Sequence, residues 1–431
     1  MGEQLFMGVG KRTITPKIGI PLFGYRPDVF SKSINDDLTV TAAAFCQGDI
    51  KAMVISATLG VFQTELAGDI RDMVARETGI PHVILCATHT HSGPNTSGIK
   101  GWGNIETGYC DDILLPRLTE AATEAAKTLK PVHMGVGSVK SNAGINRRQH
   151  NADGSIGLGQ NPWGIFDDTM TVLRFSEPSG NPVANIVHYG AHCTAAGMNT
   201  EITKDWAGVM IDRLEKESGV PALFVNGGFG DVGPRLSNGA TTGDIGHVRE
   251  IGGVAALDAV CAWKNARHTK PADLSVATGD LVLPLRPRLP REEAQRLFWA
   301  TDENAVNLEA QKREYYKNVL ESYENDTPEV ANLSFPQTLV KIGDAVLVPF
   351  MFEVFSEITI RLRHYSPFEH TLCLGTTNGY EHYLPSQSQL CLGGYEVGMF
   401  QTSRVQLLAE DTDNHIIREN LRIMEGLKND G

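Results

Sequence analysis

The chain has 431 residues, of which 41% are hydrophobic and 21% charged, a balance that excludes a disordered chain and fits a globular enzyme. Asp and Glu outnumber Lys and Arg by 51 to 38, for a net charge of −13. With no basic run, the chain is a poor candidate for binding nucleic acid or an anionic membrane surface.

The N-terminus reads MGEQLFMGVGKRTITP. It has no basic stretch ahead of an apolar one, so no signal peptide is expected, and Phe6 stands where a myristoylation pattern needs Ser or Thr. Residues 38–46 and 52–56 read as strands joined by a Gly48-Asp49 turn. Residues 65–78 have helical periodicity and stop at Gly79 with Pro81 beyond. His82–Ala87 is a short apolar run, read as a buried strand. Residues 111–129 read as a helix. Strands are expected at 132–139, 170–175, 183–189 and 222–225, with helices at 205–217 and 244–263. This alternation predicts an α/β fold: a mixed, layered sheet with flanking helices.

Residues 288–330 are rich in Glu, Arg, Lys and Tyr and predict an exposed helix or helical pair, inserted at the rim of a site and available for self-association. Strands return at 338–348 around a Gly343-Asp344 turn. A helix is expected over 353–364, a strand over 371–375 and a last helix over 413–427. No internal repeat and no linker are visible, so residues 1–431 are expected to form a single catalytic domain. No apolar run reaches the roughly 18 residues of a membrane-spanning helix. The seven cysteines are scattered without a C-x-x-C pair, which predicts free thiols and a cytoplasmic location.

The strongest chemical signal is Thr88-His89-Thr90-His91-Ser92-Gly93-Pro94, directly after the strand HVILCA. In extended backbone the two histidines point to one side, at a strand end where α/β enzymes place their sites. Imidazole is the commonest zinc ligand, so a metal or catalytic role outweighs two ordinary loop histidines. The zinc patterns H-x-H-x-D-H and H-E-x-x-H are absent. His188 and His192 end another apolar strand with the same parity. Asp205 opens a helix, where a plain N-cap is at least as good a reading as a catalytic one. Residues 228–233 match G-x-G-x-x-G, but Pro234-Arg235 follows and no helix opens, so a dinucleotide site is rejected. These glycines instead let the backbone pass close to a ligand or metal. Glu353 and Tyr383, taken singly, read as structural.

Together these stretches resemble the N-terminal catalytic domain of the neutral (alkaline, non-lysosomal) ceramidase family, from residues 8–16 to about Arg404. The matching motifs are HTHSGP at 89–94, Asn146-Arg147, His192-x-Thr194, GDVGP at 230–234, Glu353, Tyr383 and Tyr395-Glu396. The resemblance implies one Zn²⁺ held by His89, His192, Glu353 and Tyr383. It places His91, Arg147, Tyr395 and Tyr383 where the substrate carbonyl and its oxyanion are held. It implies hydrolysis of an N-acyl amide, ceramide-like or small, by a metal-bound water. Two departures stand out. Gly233 replaces the family's serine in GDVSP, and no immunoglobulin-like C-terminal domain follows. An ester or lactone hydrolase with the same metal, and a binding protein with a relic pocket, remain as alternatives. No stable membrane insertion is expected.

Overall fold

The computed structural model describes residues 3–427. Met1 and Gly2, where the sequence argued against a lipid anchor, lie outside them. Strand β1 (Phe6–Thr13) pairs antiparallel with β2 (Thr39–Gln47), and β2 with β3 (Ile50–Ala57). Helix α1 (Thr64–Thr78) crosses over to β4 (His82–Ala87), which runs parallel to β3. After a π-helical turn over Cys110–Leu114, helix α2 (Leu115–Lys127) packs back onto β1.

The same path is followed a second time. Strands β5 (His133–Lys140), β6 (Thr169–Ser176) and β7 (Pro182–Tyr189) are antiparallel neighbours. Helix α3 (Asp205–Ser218) leads to β8 (Ala222–Asn226), parallel to β7, and α4 (Ile245–Asn265) returns onto β5. The third passage begins with β9 (Leu274–Pro284). Helices α5 (Arg291–Ala300) and α6 (Asn307–Glu324) then intervene before β10 (Asn332–Ile342) and β11 (Ala345–Pro349). Helix α7 (Ser356–Tyr365) crosses to β12 (His370–Leu374), parallel to β11. The short helix α8 (Tyr395–Phe400) follows, and α9 (Thr412–Gly426) closes onto β9.

The expectation of no internal repeat is therefore corrected. Three β-β-β-α-β-α units share one strand order and one pattern of parallel and antiparallel pairs. A repeated topology needs only a repeated hydrophobic pattern and crossover hand, not repeated residues. Each sheet turns one face to a common centre, where Phe45, Ile84, Phe175, Ile186, Leu347 and Leu374 meet. The opposite faces carry each unit's own helices. Burial on both faces is why HVILCA, ALFVN and AVLVP are continuous apolar runs rather than alternating ones.

The mixed α/β class stands, and most elements lie within two residues of their expected bounds. Strands β1 and β9 escaped the sequence reading. Strand β1 carries Gly8 and Gly10, where an added Cβ would lie 2.1 and 2.2 Å from the Ala125 and Ala121 carbonyl oxygens of α2. Glycine lowers strand propensity, yet here it permits close helix docking. The helix expected from residue 353 starts only at Ser356, because Asp231 Oδ1 accepts from the Ser356 N–H and from its hydroxyl, both at 2.8 Å. Glu353 and Val354 instead form a two-residue parallel bridge to Tyr383 and Leu384. The 288–330 segment is two helices, as expected; α5 is mostly exposed, whereas α6 is largely half-buried, and Ala294, Tyr315 and Val319 bury themselves with Leu407. No helix among the described residues is long and apolar enough to cross a membrane.

Candidate metal and catalytic site

The loops that leave the parallel strand pair of each unit converge at one point. The first unit supplies Gly60 after β3 and His89 and His91 after β4. The second supplies His192 after β7 and residues 229–232 after β8. The third supplies Glu353 after β11 and residues 380–383 after β12. Carboxyl ends of parallel strands are the usual place for α/β sites.

Backbone carbonyls set the histidine tautomers. His89 Nδ1 lies 2.9 Å from Gly60 O. His192 Nδ1 lies 3.0 Å from Phe229 O and 2.9 Å from Val232 O. A carbonyl only accepts, so each Nδ1 carries the hydrogen and each Nε2 is left with its lone pair. Burial, working against nearby Glu353, pulls the His89 imidazole down to about 3, so both electron pairs stay available at neutral pH. Burial also lowers His192.

Glu353 Oε2 faces these lone pairs at 2.9 Å from His192 Nε2 and 3.5 Å from His89 Nε2, buried and without a hydrogen-bond donor. Its other oxygen accepts from Tyr380 Oη at 2.9 Å. Burial disfavours the Glu353 charge, but His89, His192 and Arg147 outweigh it and hold the carboxyl below its ordinary range. Tyr383 Oη completes the group, 3.3 Å from His192 Nε2. Two imidazole lone pairs and a carboxylate oxygen without a hydrogen between them repel one another at this range. A divalent cation relieves that repulsion, and imidazole and carboxylate are common metal ligands, with tyrosine an unusual one. These residues therefore fit a metal ion.

Beside them stands a buried charge network. Glu396 accepts from Arg147 Nε and from Arg148 Nη1, both at 2.8 Å, and all three side chains are at most 7% exposed. Arg147 Nη2 donates to Tyr383 Oη at 2.8 Å. Burial disfavours the Arg147 charge, yet Tyr383, Glu396 and Glu353 more than restore it. Two arginines against one glutamate leave a net positive charge aimed at the Tyr383 oxygen. Tyr395 packs edge-on to Tyr383, with ring centroids 5.8 Å apart.

All seven residues named from the sequence thus gather in one place, though not always by the expected geometry. His89 is left-handed, at φ 70°, and not extended. Its ring nevertheless meets His91, Nε2 to Nε2, at 3.1 Å. His188 does not share a face with His192: it points into the molecular centre, Nε2 2.8 Å from Cys373 O. Asp205 has φ 59° and is neither a conventional N-cap nor a member of the site. Its carboxylate accepts from Ala195 N, Ala196 N and Trp206 N, tying down the loop after His192. The glycines at 227–230 do allow close approach, since a Cβ at Gly230 would lie 2.3 Å from Glu353 O. Gly233 has no room for the family serine, because its Cβ would fall 2.6 Å from Thr241 Cβ. Tyr380 and Glu396 went unassigned by sequence reasoning. Tyr380 lies three residues before Tyr383, and Glu396 in the Tyr395-Glu396 motif already noted, but partnership across 27 and 249 residues is invisible along a chain.

The chamber in front of the site encloses about 20 Å³, lined by Phe23, Trp102, Tyr395 and Met399 besides the polar groups. That is room for about one ordered water.

No protein-family model matches the chain. Two curated proteins do: neutral ceramidase A of Dictyostelium discoideum, 30% identical over 172 residues, and neutral ceramidase B of the same organism, 29% identical over 171. In each case the match covers 36% of this chain and 24% of the relative, so it spans about a quarter of the relatives' length. Among solved structures, neutral ceramidase from Pseudomonas aeruginosa superposes with a TM-score of 0.78 at 18% identity, over 100% of this chain and 75% of that one. The chain is neutral ceramidase-like. A structure described as ceramidase complexed with C2 also matches, with a TM-score of 0.72 at 17% identity, over 99% of this chain and 76% of that one. At such identities the structural likeness establishes the fold, and the chemistry rests on the geometry above.

Proposed function

We propose that this chain is a zinc-dependent amidohydrolase that cleaves the amide of an N-acyl, ceramide-like substrate. The observation that carries the reading is the meeting of His89 Nε2, His192 Nε2 and Glu353 Oε2 with no hydrogen between them. His89, His192, Glu353 and Tyr383 would hold the ion. When bound, zinc supplies a Lewis acid that polarises the scissile carbonyl and lowers the pKa of a coordinated water.

The remaining work falls to the chain's own groups. Glu396 fixes the Arg147 guanidinium, so its charge needs no reorganisation when the carbonyl oxygen becomes negative. Arg147 and Tyr395 hold that oxygen. His91, whose Nδ1 is buried without a partner, is placed to exchange a proton with the reacting groups. Tyr380 orients the Glu353 carboxylate. Phe23, Trp102 and Met399 exclude bulk water, which strengthens each of these interactions. The names of the curated relatives support an amide as the bond cleaved, and a lipid-like substrate accords with them. All seven cysteines are free, which supports a reducing, cytoplasmic setting. We further read residues 1–431 as one catalytic unit, with α5 and α6 as its insertion.

Elemental analysis of purified wild-type protein beside His89→Ala tests the reading. About one zinc per chain, lost in the variant together with amide hydrolysis, is expected. Equal metal content in both, or full activity in the variant, would overturn it.

A further inference from the structure

The chamber at the metal site is far too small for a whole substrate, so at least one arm of a bound amide must leave it. Ile99 and Tyr380 line the chamber and also line a second, larger cavity of about 300 Å³ on their other side. That volume is at the lower end of the range for small-molecule sites. It lies between the loop at 97–100, the start of α1, helix α6 and the turn at 402–405.

Its lining is polar, with Gln63, Gln311, Glu314, Asn318, His382 and Arg404 among the contributors. Three atoms of these side chains are buried without any hydrogen-bond partner: Gln311 Oε1, His382 Nδ1 and Arg404 Nε. Gln311 is oriented by its other end, since its Nε2 donates to Met399 O and to Thr402 Oγ1. Arg404 is oriented by an ion pair with Glu381. Unsatisfied buried groups are costly, and an alkyl chain filling the cavity would leave all three so. An arm with hydroxyl or amide groups would satisfy them. It should not be anionic. Glu381 already answers the Arg404 charge, and Glu65 and Glu314 outnumber the remaining cation, Lys100, in the lining.

We propose that this cavity receives one arm of the substrate, and that this arm is compact, polar and not anionic rather than a long alkyl chain. The proposal rests on the amidohydrolase reading above and narrows its substrate class to small, hydroxyl- or amide-bearing N-acyl compounds.

Zinc-loaded wild type, Asn318→Trp and Gln311→Leu should be assayed on two isosteric pairs. One pair is N-hexanoyl-serinol against its hydroxyl-free carbon isostere. The other is N-glycoloyl-hexylamine against N-propanoyl-hexylamine. In one pair, wild type should favour the polar member by about tenfold or more in kcat/KM, as expected of a site built to hydrogen-bond its ligand. Asn318→Trp, which fills the cavity from the surface of α6, should abolish that preference while zinc content stays at the wild-type level. Gln311→Leu should weaken it. Equal rates within both pairs in wild type, or an undiminished preference in Asn318→Trp, would overturn the proposal and leave amide hydrolysis standing. Cleavage of no amide by zinc-loaded wild type would overturn the amidohydrolase reading, and this one with it.

Discussion

Glu396 shows how much one side chain decides here. It pairs with two buried arginines and aims one of them at Tyr383. Breaking a buried ion pair by removing one partner costs about 3–5 kcal/mol, because the other charge is left unanswered. Glu396→Gln should therefore reduce stability by that order and lower the thermal midpoint, measured by calorimetry. Arg147→Ala should leave zinc bound and reduce kcat by about 10²–10³, the usual loss of an oxyanion donor, read from metal content beside steady-state kinetics. Asp205 makes a different prediction. Burial, opposed by its three backbone donors, raises its carboxyl from 3.8 to about 6. The folded state then holds this proton to a higher pH than the unfolded chain. The group's contribution to stability is full below about pH 4 and declines as pH rises through about 6. The destabilisation caused by Asp205→Asn should accordingly shrink, by roughly 1–3 kcal/mol, between pH 4 and pH 7. Thermal melts across that range check it.

At the scale of elements, close helix-on-strand docking organises the first two units alike. On β5, a Cβ at Gly135 or Gly137 would lie 2.3 and 2.1 Å from the Ala266 and Ala262 carbonyl oxygens of α4 and its C-terminal end, just as Gly8 and Gly10 meet α2. Gly10→Ala and Gly137→Ala should each cost about 1–3 kcal/mol or more, since backbone must move to admit the methyl group. Gly253, inside α4, meets nothing within 4 Å, so Gly253→Ala should stabilise by about 0.5–1 kcal/mol through helix propensity. Denaturant unfolding of the three variants separates the cases. The helix pair α5 and α6 also has an architectural role: Leu308 packs with Trp102 and Met399 over the chamber, so the charged insertion helps wall the site.

On the scale of the whole molecule, three like units pack about one centre, and each contributes loops to one site. A metal held by side chains from all three would tie the units together. Ligand binding to the folded state adds about 2.7 kcal/mol when the free ligand stands at a hundred times its dissociation constant. Chelation should therefore lower the thermal midpoint of zinc-loaded wild type by several degrees and leave that of His89→Ala unmoved. Differential scanning calorimetry with and without chelator makes the comparison.

Hydrophobic runs, capping and turn residues placed most strands and helices from the sequence alone, because those signals act within a few residues. Gly79 ends its helix as read, and Gly219 and Asp244 likewise end and open theirs. HTHSGP marked a chemical site by composition and position. Resemblance, rather than any local pattern, added Arg147, Glu353, Tyr383 and Tyr395. Strand β9 stayed hidden because glycine and polar residues interrupt it, and β1 went unread although β5, with the same Met-Gly-Val-Gly, was read as a strand. The threefold repeat left little mark in residue identity beyond Met-Gly-Val-Gly at 7–10 and again at 134–137, because pattern alone specifies topology. Only the tertiary structure brought Tyr380 to Glu353, set Glu396 between two arginines and opened a polar cavity beside the site. Those relations depend on contacts between loops of different units, and a one-dimensional sequence carries no record of which loops will meet.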